Sequence, residues 1–272
     1  MRATARPLLG WVMIVAPQQF ETLDEAFYWI NRSFLTRPHE YVQFIRGSQG
    51  FCEDLIIPVK RPVTTLNLYE YAFNPKTKWK HLVRTYVDPD EYHRLWEQMK
   101  KVTGTSYQFR FKNKLDGNGP CLIAIVLKRN ESGTPWTRAS IIWRTAELQR
   151  KFAADLVLVH NFFREAPEEC KQIMDIQNVV LYLSQAFQSW RLVGPLVEHF
   201  CSWDEVDTSH EFGRRVVNNF ERIYAEPQPE LKFSPAIKMQ KFYLKRKRGE
   251  LGHCTPEDLS LVKALEEIKR GR

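Results

Sequence analysis

Residues 119–145, GPCLIAIVLKRNESGTPWTRASIIWRT, contain two apolar runs separated by a polar turn. The first run follows Cys121 and ends at Arg129, and the second extends from Ala139 to Thr145. Apolar runs of this length, joined by a segment that contains glycine and proline, are typical of adjacent antiparallel strands. Pro120 restricts the backbone just ahead of the thiol. We therefore expect a strand pair with Cys121 at the beginning of its first strand.

Cys121 has two interpretations. A cysteine held at the mouth of a strand close to an arginine can be stabilised as a thiolate, which is the nucleophilic form. A lone cysteine is also commonly a small buried apolar residue. The chain has five cysteines, an odd number, with no Cys-x-x-Cys spacing. We therefore expect neither a disulfide framework nor a metal site, and reduced thiols in the cytoplasm fit best.

The rest of the chain predicts a mixed α+β fold. A chain of 272 residues can bury a large core. Apolar spacing predicts helices over residues 20–37, 88–101 and 146–164, and strands near residues 8–16, 53–59 and 179–187. The order of these elements favours one main sheet flanked by helices, in a domain spanning residues 1–215. No apolar segment is long enough to span a membrane.

Much of the net charge of +8 comes from lysines and arginines between Lys238 and Arg248. Beyond residue 215 the pattern becomes helical with charged faces, which predicts a basic, largely helical C-terminal extension over residues 216–272. Basic segments bind nucleic acid or phosphorylated small molecules, and some bind neither. Contact between this tail and nucleic acid therefore stays open at this point.

Arg144 and Thr145 end the second strand, where we expect a helix to begin. An arginine and a hydroxyl at a helix N-terminus can hold a phosphate group, because the backbone amides and the helix dipole add to the cation. The alternative is a surface arginine next to a threonine that only caps the helix.

Asp155 falls on the apolar side of that predicted helix. A carboxylate in such a place needs a partner, because an unpaired buried charge is strongly unfavourable. One suitable partner is the exocyclic amine of cytosine, from which a carboxylate accepts a hydrogen bond. The alternative partner is a buried arginine, which would make Asp155 a structural residue.

Two further residues are compatible with nucleotide binding. Arg46 lies in a loop with glycines and could supply a second phosphate contact. Tyr182 lies in an alternating apolar stretch and could present its hydroxyl to a sugar, although such a tyrosine is more often a half-buried packing residue.

These residues together resemble the thymidylate synthase family and its cytidylate and deoxycytidylate hydroxymethylase relatives. In that family a Pro-Cys pair leads into a strand and an Arg-Ser-x-Asp segment follows, which is similar to Pro120-Cys121 and residues 144–147. An asparagine or aspartate lies eleven residues after the arginine, as Asp155 does here. The resemblance extends over about residues 20–190 and is specific in the segment from Cys121 to Asp155.

The resemblance implies that Cys121 attacks carbon 6 of a pyrimidine nucleoside monophosphate. It assigns substrate contacts to Arg46, Arg144 and Thr145 at the phosphate, Glu147 in place of the family's aspartate, Asp155 at the base and Tyr182 at the ribose. An aspartate at the base position implies cytosine, hence CMP or dCMP. The resemblance also implies 5,10-methylenetetrahydrofolate as the one-carbon donor, and a homodimer.

The chain departs from the family pattern in its central segment, which is compressed to about residues 63–90 and offers Glu70 as the candidate catalytic glutamate. Tyr107 stands where an arginine that reaches the partner subunit is expected, and Arg110 is close to it. A short apolar C-terminus that closes over folate is also missing, which favours hydroxymethylation over methylation. These differences leave an alternative: a thymidylate-synthase-like protein that binds nucleotide, or modifies bases in nucleic acid, without folate.

Overall fold

The computed structural model describes residues 13–66, 89–111 and 121–225. The first helix, α1 (Leu23–Thr36), begins after Thr22, whose hydroxyl accepts a hydrogen bond from the Glu25 amide at 3.4 Å. The Glu25 carboxylate accepts from the Glu21 amide at 2.9 Å. One amide of the first helical turn, and one just before the helix, are thus satisfied by neighbouring side chains.

One mixed sheet organises the described part of the chain. Its strands are β1 (Ile14–Val15), β2 (Phe44–Arg46), β3 (Gln49–Val59), β4 (Ser106–Arg110), β5 (Leu122–Lys128), β6 (Trp136–Trp143), β7 (Ala146–Glu147) and β8 (Met174–Ser189). The remaining helices are α2 (Pro38–Tyr41), α3 (Pro89–Lys100), α4 (Lys151–Arg164), α5 (Glu168–Lys171), α6 (Trp190–Val193), α7 (Val197–Phe200) and α8 (Glu211–Ala225), with short 3₁₀ turns at Gly194–Leu196 and Trp203–Glu205.

The strand order is β1-β3-β8-β6-β5-β4, with β2 paired to β3 and β7 paired to β8. Strands β5 and β6 are antiparallel, from the pair Leu122–Trp143 to the pair Lys128–Arg138, which confirms the predicted strand pair. Strand β8 lies between β3, to which it is antiparallel, and β6, to which it is parallel. The mixed α+β class with one main sheet is therefore confirmed.

Helices α3 and α4 pack on one face of this sheet through aromatic rings. The ring of Trp143 meets Phe152 of α4 edge-on at 5.3 Å between centroids. Phe109 lies on β4 at the end of the strand order. Its ring centroid is 4.9 Å from that of Trp96 in α3 and 4.7 Å from that of Phe162 in α4. All five rings are buried. Their large apolar surfaces supply a major part of the stability of this side of the protein.

The opposite side of the sheet carries residues that are only half-buried, and we call it the open face. Because side chains alternate along a strand, its members come from every second position of four neighbouring strands. They are Ile56, Pro58, Val126, Ser140, Ile142, Val180 and Tyr182. The register aligns them in rows across the strands, with Ile56 beside Tyr182 and Tyr182 beside Ile142.

Two predictions about segment boundaries need correction. The helix predicted from residue 146 begins at Lys151, because Ala146 and Glu147 pair with Ala186 and Phe187 of β8 as a short parallel strand. The domain boundary predicted after residue 215 falls inside α8, which belongs to the main body: Phe212 packs against Phe34 of α1 at 6.3 Å. Residues 226–272 lie outside the described part.

Candidate functional site

Cys121 and Arg144 are brought together by the pairing of β5 with β6. The Arg144 amide donates a hydrogen bond to the Cys121 carbonyl at 2.8 Å, which continues the ladder one step beyond the Leu122–Trp143 pair. Arg144 is exposed and Cys121 is half-buried. The pair therefore combines an accessible thiol with a permanently charged guanidinium at one end of two central strands.

Cys121 differs in accessibility from the other cysteines that the structure describes. Cys52, Cys170 and Cys201 are buried. Burial raises the pKa of the Cys52 thiol to about 12, and the charges of Glu53 and Asp54 add to this effect. Burial likewise raises the pKa of Cys201 to about 11. These three thiols are therefore poor nucleophiles, because the thiolate is the reactive form.

Asp155 is joined to β6 through the side chain of Trp143. Trp143, the residue before Arg144, donates a hydrogen bond from its indole Nε1 to Asp155 Oδ2 at 3.1 Å. Asp155 is 3% exposed. The partner of its carboxylate is thus a tryptophan rather than the buried arginine considered as an alternative.

Burial raises the pKa of the Asp155 carboxyl to about 7. The Trp143 hydrogen bond and the charge of Lys151 act in the opposite direction, and Glu147 adds to the rise. Desolvation dominates because the charged form loses its water without gaining a close cation. Near neutral pH this carboxyl can therefore be present in both protonation states.

Thr145 and Glu147 follow Arg144 in an extended segment and not at a helix N-terminus. The helix start predicted at this point is therefore wrong, since α4 begins only at Lys151, and a phosphate contact by Arg144 and Thr145 stays a prediction without the help of a helix dipole. The Glu147 carboxylate is buried and accepts a hydrogen bond from Arg150 Nη2 at 3.0 Å. Lys151 Nζ lies 3.8 Å from it. Glu147 thus orders the turn that leads into α4.

A buried amide network holds this segment against β8 and α1. Gln149 donates from Nε2 to Glu147 Oε1 at 3.2 Å and accepts from the Ser189 amide at 3.3 Å. Gln188 donates to Asn31 Oδ1 at 2.9 Å, and Asn31 donates to the Leu148 carbonyl at 3.2 Å. Hydrogen bonds between buried amides fix backbone geometry, although among the described residues Gln188 Oε1 has no partner. The sequence pattern did not indicate this network, because its members are far apart in the chain.

Arg46 lies away from Cys121, at the end of β2 and beside a two-residue turn. Its strand partner is Gln49, which in turn pairs with Ser189 at the far end of β8. Trp143 instead pairs with Leu183, six residues earlier in β8. The row of paired residues that contains Arg46 is therefore about 20 Å, measured along the strands, from the row that contains Trp143. The structure thus pairs Cys121 with Arg144 and joins Asp155 to the neighbouring Trp143, but it places Arg46 elsewhere.

Tyr182 lies on the open face, in the strand next to β6. Its hydroxyl donates a hydrogen bond to Asp54 Oδ1 at 2.5 Å. This bond is the main cause of the raised pKa of the Tyr182 hydroxyl, with burial and the Asp54 charge adding to it. Sequence reasoning missed Asp54. An acidic residue in the middle of an apolar strand was the one signal that could have indicated it.

Several predicted features lie outside the described residues. They include Glu70, most of the compressed central segment and the basic tail, so contact between that tail and nucleic acid stays a prediction. Tyr107 donates from its hydroxyl to the Leu95 carbonyl at 3.0 Å, and Arg110 lies exposed at the end of β4. In residues 13–66, 89–111 and 121–225 no cluster of metal-ligating side chains occurs, and no helix is both long and apolar enough to cross a membrane.

The chain matches no known protein-family model, and a search of the curated proteins finds no match.

Proposed function

We propose that the protein transfers a one-carbon unit to carbon 5 of a cytidine nucleotide, CMP or dCMP, with hydroxymethylation as the reaction. The observation that carries this proposal is the hydrogen bond between the Arg144 amide and the Cys121 carbonyl, which places a half-buried cysteine and an exposed arginine opposite each other on neighbouring strands. Asp155 is held on the core side of β6 by Trp143, the residue before Arg144. The proposal assigns the nucleophile to Cys121, the cation for an anionic substrate to Arg144 and the hydrogen-bonding group for the base to Asp155.

Cys121 acts as the covalent catalyst. Its thiolate forms a bond to carbon 6 of the pyrimidine, and the electron pair of the 5,6 double bond moves toward carbon 5. Carbon 5 then becomes nucleophilic. After the one-carbon unit is attached, carbon 5 loses its original proton, the carbon–sulfur bond breaks and the 5,6 double bond re-forms. Cys121 leaves as the thiolate and is ready for another cycle.

Asp155 complements cytosine in either protonation state. An ionised carboxylate accepts a hydrogen bond from the exocyclic amine, whereas it would repel the carbonyl of uracil. A protonated carboxyl can instead donate a hydrogen bond to the ring nitrogen at position 3. Oδ2 is used by Trp143, so Oδ1 is the oxygen that this proposal assigns to the base.

Folate enters the proposal only through the resemblance. When bound, 5,10-methylenetetrahydrofolate would supply the one-carbon unit at the oxidation level of formaldehyde, water would supply the hydroxyl group of the product, and tetrahydrofolate would be released. Glu70 and the segment expected to face it lie outside the described residues, so no described side chain is assigned to it. Arg144 and Thr145 would hold the phosphate, and Glu147 would order the turn that positions them.

Release of tritium from carbon 5 of labelled CMP or dCMP tests the proposal. We expect the wild-type protein to release tritium with one of the nucleotides when methylenetetrahydrofolate is present. Slower exchange is expected without folate, because thiol addition alone makes carbon 5 basic. Cys121→Ser should abolish both, and the matched variant Cys201→Ser should retain them, since that buried thiol has a pKa raised to about 11. Release unaffected by Cys121→Ser, or none from folded wild-type protein, would contradict the proposal.

We also propose that the protein is a homodimer formed through the open face. Half-buried apolar residues on a sheet are the surface that two sheets bury when they pack face to face, about 10 Å apart. Ile56, Ile142, Val180 and Val126 give this face an apolar centre. The cytoplasm is the proposed location, since the four cysteines that the structure describes are free.

A further inference from the structure

His210 caps the N-terminus of α8 with a nitrogen of its imidazole ring. Its carbonyl accepts a hydrogen bond from the Arg214 amide at 3.1 Å, so His210 is the residue from which the helix starts. The Phe212 amide, in the first turn, donates to His210 Nδ1 at 3.1 Å. Serine, threonine, aspartate and asparagine are the usual residues at such a place, and none of them titrates near neutral pH. Here the acceptor belongs to a side chain that does.

This hydrogen bond determines the protonation state of His210. Nδ1 accepts only through a free lone pair, so the ring is neutral and carries its one proton on Nε2. A second proton would enter at Nδ1, where it would remove the acceptor of the Phe212 amide. The cationic ring would also lie at the positive end of the helix dipole, which is unfavourable. Protonation of His210 and capping of α8 therefore exclude each other.

The charged groups around His210 come from two elements and the segment between them. His39 of α2 meets the His210 ring edge-on at 4.8 Å between centroids. The others are Asp207, before α8, and Glu211 and Arg214 on α8. Burial is the main cause of the lowered pKa of His210; the charges of His39 and Arg214 also lower it, and those of Asp207 and Glu211 oppose them. The neutral ring is therefore favoured in the folded protein.

The first turn of α8 also holds the helix against the rest of the protein. The ring of Phe212 packs against Phe34 of α1 at 6.3 Å and lies over Gly50 of β3. Arg215 donates from Nη1 to a carbonyl of the turn between β2 and β3 at 3.3 Å. The residue whose amide is capped by His210 is thus the residue whose ring docks the helix. Loss of the cap therefore weakens the docking of α8.

We propose that His210 is a pH-sensitive cap, which holds the first turn of α8 against the protein when neutral and releases it on taking up a proton. This device is independent of the proposed function. In an opened turn His210 has the ordinary histidine pKa of about 6.5. The pKa in the capped state is lower, so the stabilisation by the cap is fully present above about pH 6.5 and is lost as the pH falls below that value.

Hydrogen exchange of the backbone amides in residues 211–220, followed by mass spectrometry at about pH 7.5 and about pH 5, measures the opening of α8. After correction for the intrinsic pH dependence of exchange, protection in the wild type should fall by about tenfold at the lower pH. A helix cap and a repulsive charge at the helix end together contribute about that factor. Exchange in α4 (Lys151–Arg164) is the internal reference and should not increase at the lower pH.

Three variants identify the group that titrates. His210→Asn keeps an acceptor for the Phe212 amide in a residue that does not titrate, so protection in α8 should be the same at both pH values. His210→Ala removes the acceptor and should give low protection at both. His93→Asn is the matched control, because it replaces an exposed histidine of α3, and it should follow the wild type.

Equal protection of wild-type α8 at the two pH values overturns the proposal. A His210→Asn protein that keeps the wild-type loss, or that is unprotected at both pH values, overturns it as well. So does a His210→Ala protein that is as protected as the wild type at about pH 7.5, since the Nδ1 hydrogen bond would then not hold the turn. Thermal unfolding of each variant at both pH values establishes that faster exchange comes from α8 and not from a lost fold.

Discussion

Asp155 gains its chemical character from burial rather than from a charged partner. Its carboxyl is enclosed by the core side of β6 and α4, and the Trp143 indole at 3.1 Å is its hydrogen-bond donor. A neutral donor stabilises the ionised form less than an arginine would, so desolvation prevails and the pKa rises to about 7. The residue that the proposed function assigns to the base is therefore also one whose protonation changes near neutral pH.

This burial predicts a pH dependence of stability. The folded-state pKa of about 7 lies above the value of about 4 for an unfolded chain, so the folded protein binds the proton more tightly. The stabilisation is fully present below about pH 4 and is lost as the pH rises through about 7. Between about pH 5.5 and 8 the unfolding free energy of the wild type should fall by about 2 kcal/mol more than that of Asp155→Asn. Urea denaturation at both pH values measures the difference.

Asp175→Asn is the control for that experiment, because it removes an exposed aspartate whose carboxylate accepts hydrogen bonds from Gln177. It should follow the wild-type pH dependence. Parallel curves for the wild type and Asp155→Asn would contradict the assignment of the raised pKa to this carboxyl.

Helix α8 depends on close approach between backbones at its N-terminal turn. A β-carbon at Gly213 would lie 2.0 Å from the Asp207 carbonyl oxygen. Phe212 meanwhile fills the space over Gly50, where a β-carbon would lie 2.7 Å from its ring. The two glycines therefore allow α8 to lie against the rest of the protein.

Gly213→Ala should destabilise the protein by about 1–3 kcal/mol, because the added methyl group meets backbone that cannot rotate away. Gly104→Ala is the matched control: no atom lies within 4 Å of the added carbon, and its effect should stay within about 0.5 kcal/mol. Chemical denaturation of both variants gives the comparison. Equal stability of the two would show that α8 does not pack in this way.

The elements that the sequence predicted correctly are those whose evidence is local. The β5–β6 pair follows from two apolar runs and a turn, and α3 (Pro89–Lys100) follows from its own pattern. The apolar spacing of residues 146–164 places Ala146 and Glu147 in a helix, whereas pairing with β8 makes them a strand. The Asp54–Tyr182 contact could not be predicted either, since it joins residues 128 positions apart.

At the scale of the whole molecule, the two sides of the sheet differ in how completely they are covered. On the face under α3 and α4, Phe109 and Trp143 of the sheet and Trp96 of α3 are fully buried. On the open face, Ile142 and Val126 stay half-buried. A second copy would cover this surface through a two-fold axis, so that each residue meets the same patch on its partner. The apolar centre of the face suits the composition of a permanent homodimer interface.

Val126→Glu tests this arrangement, because its carboxylate would be buried twice at a symmetric interface, once from each subunit. Loss of water around two like charges without a partner cation opposes association strongly. Sedimentation velocity should therefore give a dimer for the wild type and a monomer for Val126→Glu. Val63→Glu makes the same substitution at a valine that is 38% exposed in the segment after β3, and it should remain dimeric. A monomeric wild type, or a Val126→Glu protein as dimeric as Val63→Glu, would exclude the open face as the interface.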